Sequence, residues 1–210
     1  MYSGKPIIGI VGGIGSGKSF VADLFKEQGC LVIHSDELVR EAYNLTEVKD
    51  TLRRWWGDAV FASDGQVDRR AVARKIFTNN DDRQKLEGLL HPLVDRRRIE
   101  LMSQSLGNSQ VLAFVWDTPL LVETGLNSQC DAVIYVEAPD AVRKARVQAS
   151  RGWDGAELIR RENLQLPLDK KREISDYVVV NTADADNTRG QVKEVLSRIR
   201  GQWEQKPTGP

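Results

Sequence analysis

Residues 12 to 19 read GGIGSGKS, and they fall between two segments of opposite periodicity. Ile7 to Val11 is a short β-rich apolar run ending in glycine, the pattern of a buried strand. From Lys18 to Gln28, Phe20, Val21, Leu24 and Phe25 recur at helical spacing until Gly29 stops the pattern. The octapeptide fits G-x-x-x-x-G-K-[ST], and strand, loop and helix stand in the order that this phosphate-binding signature requires. Glycines let successive backbone N–H groups curve around phosphate oxygens, and the helix N-terminus adds a favourable dipole. Lys18 would neutralise the terminal phosphates, and the Ser19 hydroxyl would hold Mg²⁺. Phe20 is expected to turn its side chain into the core.

The run CLVIHSD (30–36) reads as a second strand, so the chain opens with a βαβ unit and a parallel sheet. Residues 37–106 are almost wholly helical in pattern, with Asp68 and Asp81 as expected N-caps and Pro92 marking a helix boundary or first turn. VLAFVWD (111–117), AVIYVEAP (132–139) and YVVVN (177–181) read as three further strands. Residues 141–164 are helical and arginine-rich, interrupted near SRGWDG, and 187–203 form a last amphipathic helix. Five strands interleaved with helices give one doubly wound α/β domain with a helical insertion.

Thirty basic residues balance thirty acidic ones among 210, which argues against a general nucleic-acid binder. Cys30 and Cys130 form no C-x-x-C pair, so neither a disulfide framework nor a zinc site is expected. The first residues lack signal-peptide architecture, and no apolar run approaches the roughly 18 residues needed to span a bilayer. The expectation is a cytoplasmic protein in a reducing compartment, with no nucleic-acid or membrane partner, monomeric or weakly homo-oligomeric.

Triphosphate binding leaves the acceptor open. A GTPase switch needs N-K-x-D and D-x-x-G, and neither occurs. Asp36, just beyond the second strand, could accept a proton from an acceptor hydroxyl or order metal-bound water, or it could cap a helix beginning near Glu37. Asp117 closes the third strand, as an outer metal partner or as a turn residue before Pro119. Arginines 143, 146, 151, 160 and 161, beside Gly152 and Gly155, suit a lid closing on a transferring phosphoryl group. Each alone equally suits a solvated face paired with Glu157 and Glu162. His34 reads as a packed or capping residue, and His91 either joins two helices or touches a ligand.

Several stretches together resemble the dephospho-CoA kinase family: IGIVGGIGSGKS, VIHSDELVRE, DGQVDRRAVARKIF, LEGLLHPLV, PLLVETGL and the late Q…K…SDYVVVN, in order from about residue 7 to 182. The resemblance implies transfer of the γ-phosphoryl of ATP to the ribose 3′-hydroxyl of dephospho-CoA, with ATP and dephospho-CoA as the partners. It implies a P-loop NTPase fold of the nucleoside-monophosphate-kinase kind: a parallel five-stranded α/β sheet with helices on both faces, a helical insertion and a lid. The core would be 5–36, 108–140 and 174–203, the acceptor-side insertion 37–107, the lid 141–173, and 204–210 a disordered tail. By position Gly13, Ile14, Gly15, Ser16, Gly17, Lys18, Ser19 and Phe20 would cradle ATP, with Asn181 near the adenine. Lys18, Asp36 and Arg146 would be catalytic, and Arg69, His91, Pro119, Leu120 and Leu121 would border the acceptor pocket. Three departures stand out: His34-Ser35-Asp36 replaces a usual Asp-Ala-Asp, Phe20 replaces a usual threonine, and the lid spacing after Arg146 is altered around QASRGWDG. Another small-molecule or nucleotide kinase of the same fold is one alternative, and a non-catalytic ATP-binding regulator is the other.

Overall fold

The computed structural model describes residues 2–182 and 184–204, so the expected tail beyond them lies outside the described residues. The chain divides into two compact units, one of residues up to His34 and from Ser105 onward, the other Ser35–Gln104.

The first unit is built on five parallel strands, β1 (Ile7–Gly12), β2 (Leu31–His34), β3 (Phe114–Asp117), β4 (Ala132–Glu137) and β5 (Tyr177–Val180), in the order β2-β3-β1-β4-β5. Every residue of β1 is buried, as a central parallel strand covered on both faces requires. Ile8 and Ile10 point to one face, where α1 (Lys18–Glu27) supplies Val21, Ala22, Leu24 and Phe25 and α9 (Ala185–Glu204) supplies Val192, Leu196 and Ile199. Gly9 points the other way, and a Cβ there would lie 2.5 Å from Leu121 Cδ2 and 2.8 Å from Cys130 Sγ. Register sets the ends of the strands: Ile10 stands beside Asp117, and His34 beside Asp117 on the other side. Three further helices complete this unit: α6 (Asp140–Arg151), α7 (Gly155–Glu162) and α8 (Leu168–Glu173). The break between α6 and α7 falls at Gly152, whose φ of +68° ends the first helix, and Asp154 caps the second.

The second unit contains α2 (Ser35–Asn44), α3 (Thr46–Trp56), α4 (Arg69–Thr78) and α5 (Asn80–Gln104) around a core of Tyr43, Val48, Leu52, Val72, Leu86 and Leu90. Asp68 accepts from the Arg70 and Ala71 amides, so the expected cap of α4 is present. The expected cap at Asp81 is corrected: Asn79 accepts from the Asp81 and Asp82 amides, and Asp81 already lies in the first turn. Pro92 does not end a helix, and His91 joins no helix pair; both lie inside the 25-residue α5. A proline there costs about 3 kcal/mol. Leu86, Leu90, Val94 and Met102 are buried at helical spacing on either side of it, and each buried apolar side chain contributes about 1.5–3 kcal/mol. Their sum outweighs the proline.

Among the described residues no helix is long and apolar enough to cross a membrane.

Candidate active site

Glycine at position 17 is required by the backbone. Its φ of +89° begins α1 from a left-handed conformation, and a Cβ there would collide with the Asn181 side-chain amide. That amide donates to the Ser16 carbonyl at 2.7 Å from a buried position just after β5. Arg146 on α6 reaches the same carbonyl at 3.2 Å and also donates to the Asn181 backbone carbonyl and side chain and to the Thr182 carbonyl. The loop after β1 is therefore propped from β5 and α6. Its outer residues Lys18, Ser19 and Phe20 open α1, where first-turn N–H groups have no partner inside the helix.

Lys18 folds back over this loop, donating to the Gly12 and Gly13 carbonyls at 3.0 Å each. Desolvation, then the charge of Lys171, outweigh the attraction of Asp117 and push its ammonium down to about 8. Ser19 Oγ donates to Asp117 Oδ2 at 2.8 Å, and His34 Nδ1 lies 3.0 Å from the same oxygen. A carboxylate only accepts, so Nδ1 carries the proton of that bond. A hydroxyl and a carboxylate in direct contact are two hard oxygen donors of the kind Mg²⁺ takes, so these residues fit that ion. Ser16 Oγ is wholly buried and has no hydrogen-bond partner among the described residues.

Phe20 is 39% exposed and does not join the core. The buried face of α1 centres on Val21, Leu24 and Phe25, which leaves Phe20 at its edge. Arg143 is neither a solvated residue nor a free lid arginine: it is buried, pairs with Asp140 and Glu162, and donates to the Ile14 carbonyl at 3.2 Å. Its carbonyl also sits 2.7 Å from where a Cβ on Gly15 would be, so Gly13, Ile14 and Gly15 pack closely on α6. Arg160 and Arg161 pair with Glu157. Arg151 and Arg161 each stack over the Trp153 ring.

Pro119 and Leu120 are exposed after β3, whereas Leu121 is 1% exposed and packs behind Gly9, a core position. In the second unit, Asp36 is exposed in the first turn of α2. The expected strand through residue 36 is thus corrected, since β2 ends at His34 and the helix starts at Ser35. Acidic Asp36 and Glu37 favour that start through the helix dipole. The alternative role of Asp36 as cap of a helix starting near Glu37 falls with it. Arg69 opens α4 and His91 lies on α5, both exposed. Local periodicity carries no sign of the ion pair that buried Lys171 makes with Glu123, 48 positions away and joined at 2.9 Å. Nor did it point to the pairing of Asp117 with His34.

The family model for dephospho-CoA kinase matches residues 6–187. A dephospho-CoA kinase of Anaeromyxobacter dehalogenans is 36% identical over 93% of this chain and 92% of its own length. One of Thermus thermophilus is 34% identical over 93% and 92% respectively. A crystal structure of a Thermus thermophilus protein matches with a TM-score of 0.80 at 34% identity, covering 92% of this chain and 97% of its own. The dephospho-CoA kinase of Campylobacter jejuni shares the fold at a TM-score of 0.68 and 21% identity, covering 94% of this chain and 99% of its own. With the phosphate-binding loop, the parallel sheet and these matches in hand, the chain belongs to the dephospho-CoA kinase family.

Proposed function

We propose that the protein transfers the γ-phosphoryl group of ATP to the ribose 3′-hydroxyl of dephospho-CoA, giving CoA and ADP. The observation that carries this is family membership over residues 6–187 together with an intact phosphate cradle whose Ser19 touches Asp117. Gly13 to Phe20 bind the ATP phosphates, with Asn181 on the adenine side. Lys18 exchanges its two loop carbonyls for phosphate oxygens, which an ammonium prefers because the new bonds join full charges. Arg146 is the residue of the 141–173 lid whose charge meets the phosphates.

Ser19 and Asp117 are the residues that would hold Mg²⁺, which neutralises phosphate charge when bound. Asp36 orients the acceptor hydroxyl and takes its proton. Arg69, His91, Pro119 and Leu120 border the acceptor. Leu121, which packs in the core behind Gly9, supports that border from within. The protein acts in the cytoplasm, where its two free cysteines stay reduced.

A non-catalytic regulator would have no use for Lys18, Ser19, Asp36 and Asp117 together. An ADP-release assay with MgATP against dephospho-CoA, adenosine, AMP and shikimate tests the acceptor. Turnover with dephospho-CoA above all others is expected, and turnover with AMP or shikimate alone would overturn it.

A further inference from the structure

Arg143 lies directly against the first half of the phosphate loop. Its Nη1 donates to the Ile14 carbonyl at 3.2 Å and to Glu162 Oε1, and its Nη2 donates to Asp140 Oδ1 at 2.8 Å. A Cβ on Gly13 would stand 2.7 Å from that Nη1 and 3.3 Å from Glu162 Oε1. A Cβ on Gly15 would stand 2.7 Å from the Arg143 carbonyl and 2.8 Å from Val147 Cγ2. The guanidinium is buried, and its fork is planar and rigid, so three acceptors fix its plane. Asp140 holds it from the start of α6, and Glu162 holds it from the last residue of α7.

A trans peptide unit is planar, with its C=O and the following N–H pointing in opposite directions. A donor on the Ile14 carbonyl therefore turns the Gly15 N–H away from α6. Gly15 has a φ of +77°, and glycine is free on both sides of zero. The orientation of this peptide must be held from outside, and Arg143 holds it. The Ser16 carbonyl, bound by Asn181 and Arg146, fixes the Gly17 N–H in the same way. Neither the Gly15 N–H nor the Gly17 N–H has a partner among the described residues. Oriented amides left open in a glycine loop before a helix are donors for an anion.

We propose that Arg143 is a positioning residue of the phosphate cradle: by holding the Ile14 carbonyl it aims the Gly15 N–H at a phosphate oxygen, and Asp140 and Glu162 keep its guanidinium in place. The ligand class is a nucleoside triphosphate, so the inference rests on the reading of residues 12–19 as the ATP cradle. Arg143 acts through the peptide, from behind the loop. A donor aimed before the ligand arrives needs no reorganisation on binding.

The test is calorimetric titration of MgATP into the full chain well below its melting temperature, with the Gly15 amide resonance followed in ¹⁵N-glycine-labelled protein. Arg143→Met keeps an unbranched stem and removes the donor; Glu162→Gln beside it leaves no carboxylate facing that stem. The double variant should bind MgATP about tenfold or more weakly, the size of one hydrogen bond to a charged acceptor. The shift of the Gly15 amide at saturating MgATP should be smaller than in wild type. A residue that only stabilised α6 would lower the melting temperature and leave both readouts of the folded protein unchanged. Should the double variant fail to fold, Arg143→Gln, shorter and uncharged, takes its place with the same two losses expected. A folded variant with wild-type affinity or a wild-type Gly15 shift overturns the inference and leaves the cradle reading intact. Wild-type protein that binds no MgATP overturns the cradle reading and the inference with it.

Discussion

Ser19 and Asp117 lie 98 positions apart in the chain, yet the Ser19 hydroxyl donates to the Asp117 carboxylate at 2.8 Å. The contact fastens the first turn of α1 to the end of β3, and His34 Nδ1 holds the same carboxylate oxygen from β2 at 3.0 Å. Ligand geometry of this kind depends on such outer contacts. Asp117→Asn removes a hard anionic donor and should raise the Mg²⁺ concentration needed for half-maximal activity by about tenfold or more. His34→Asn keeps an N–H donor for Asp117 and should shift it far less. A Mg²⁺ titration at saturating ATP distinguishes the two.

In the proposed reaction Lys18 is the cation of the cradle. Lys18→Ala should leave the circular dichroism spectrum unchanged, because among the described residues the ammonium bonds only to loop carbonyls. Stabilisers of developing charge are worth about 10²–10³ in rate, so kcat should fall by that order. A loss below about tenfold in steady-state kinetics would contradict the role.

Gly17→Ala places a Cβ against the Asn181 amide at a φ of +89°. The left-handed conformation alone costs about 1–2 kcal/mol for an L-residue, and the collision adds to it. A measurable fall in melting temperature and weaker MgATP binding should appear together, because the Asn181 amide that props the loop must move.

The sheet was legible in the sequence because its strands are short apolar runs closed by glycine, aspartate, proline or asparagine, and the phosphate loop because its glycines, lysine and serine are contiguous. The relations that complete the site were not legible. Asp117, Ser19 and His34 meet only because β3 lies between β1 and β2 in the sheet. Strand order is not written in local periodicity. Arg143 looked like its solvated neighbours, since nothing in a helical arginine's sequence context says that its face packs on Ile14. Pro92 misled for the converse reason: a local breaker was overridden by burial on both sides of it.

Asp36 lies in the first turn of α2, beyond the cap position. Asp36→Asn would therefore lose only the helix-dipole contribution, about 0.3–1 kcal/mol, and the melting temperature should change little. As proton acceptor its loss should lower kcat by about 10²–10⁴ while MgATP affinity stays near wild type. Steady-state kinetics alongside calorimetry checks both halves. Unchanged kcat would remove Asp36 as the base and turn attention to Asp117.

The most direct measurement is mass analysis of the products after incubating the protein with dephospho-CoA and MgATP. The expected result is CoA, carrying one added phosphoryl group on the ribose 3′-oxygen, with an equal amount of ADP, and neither product in the same time with Lys18→Ala. A folded preparation that binds MgATP yet returns dephospho-CoA unchanged, while phosphorylating AMP or another hydroxyl compound, would contradict the proposed activity.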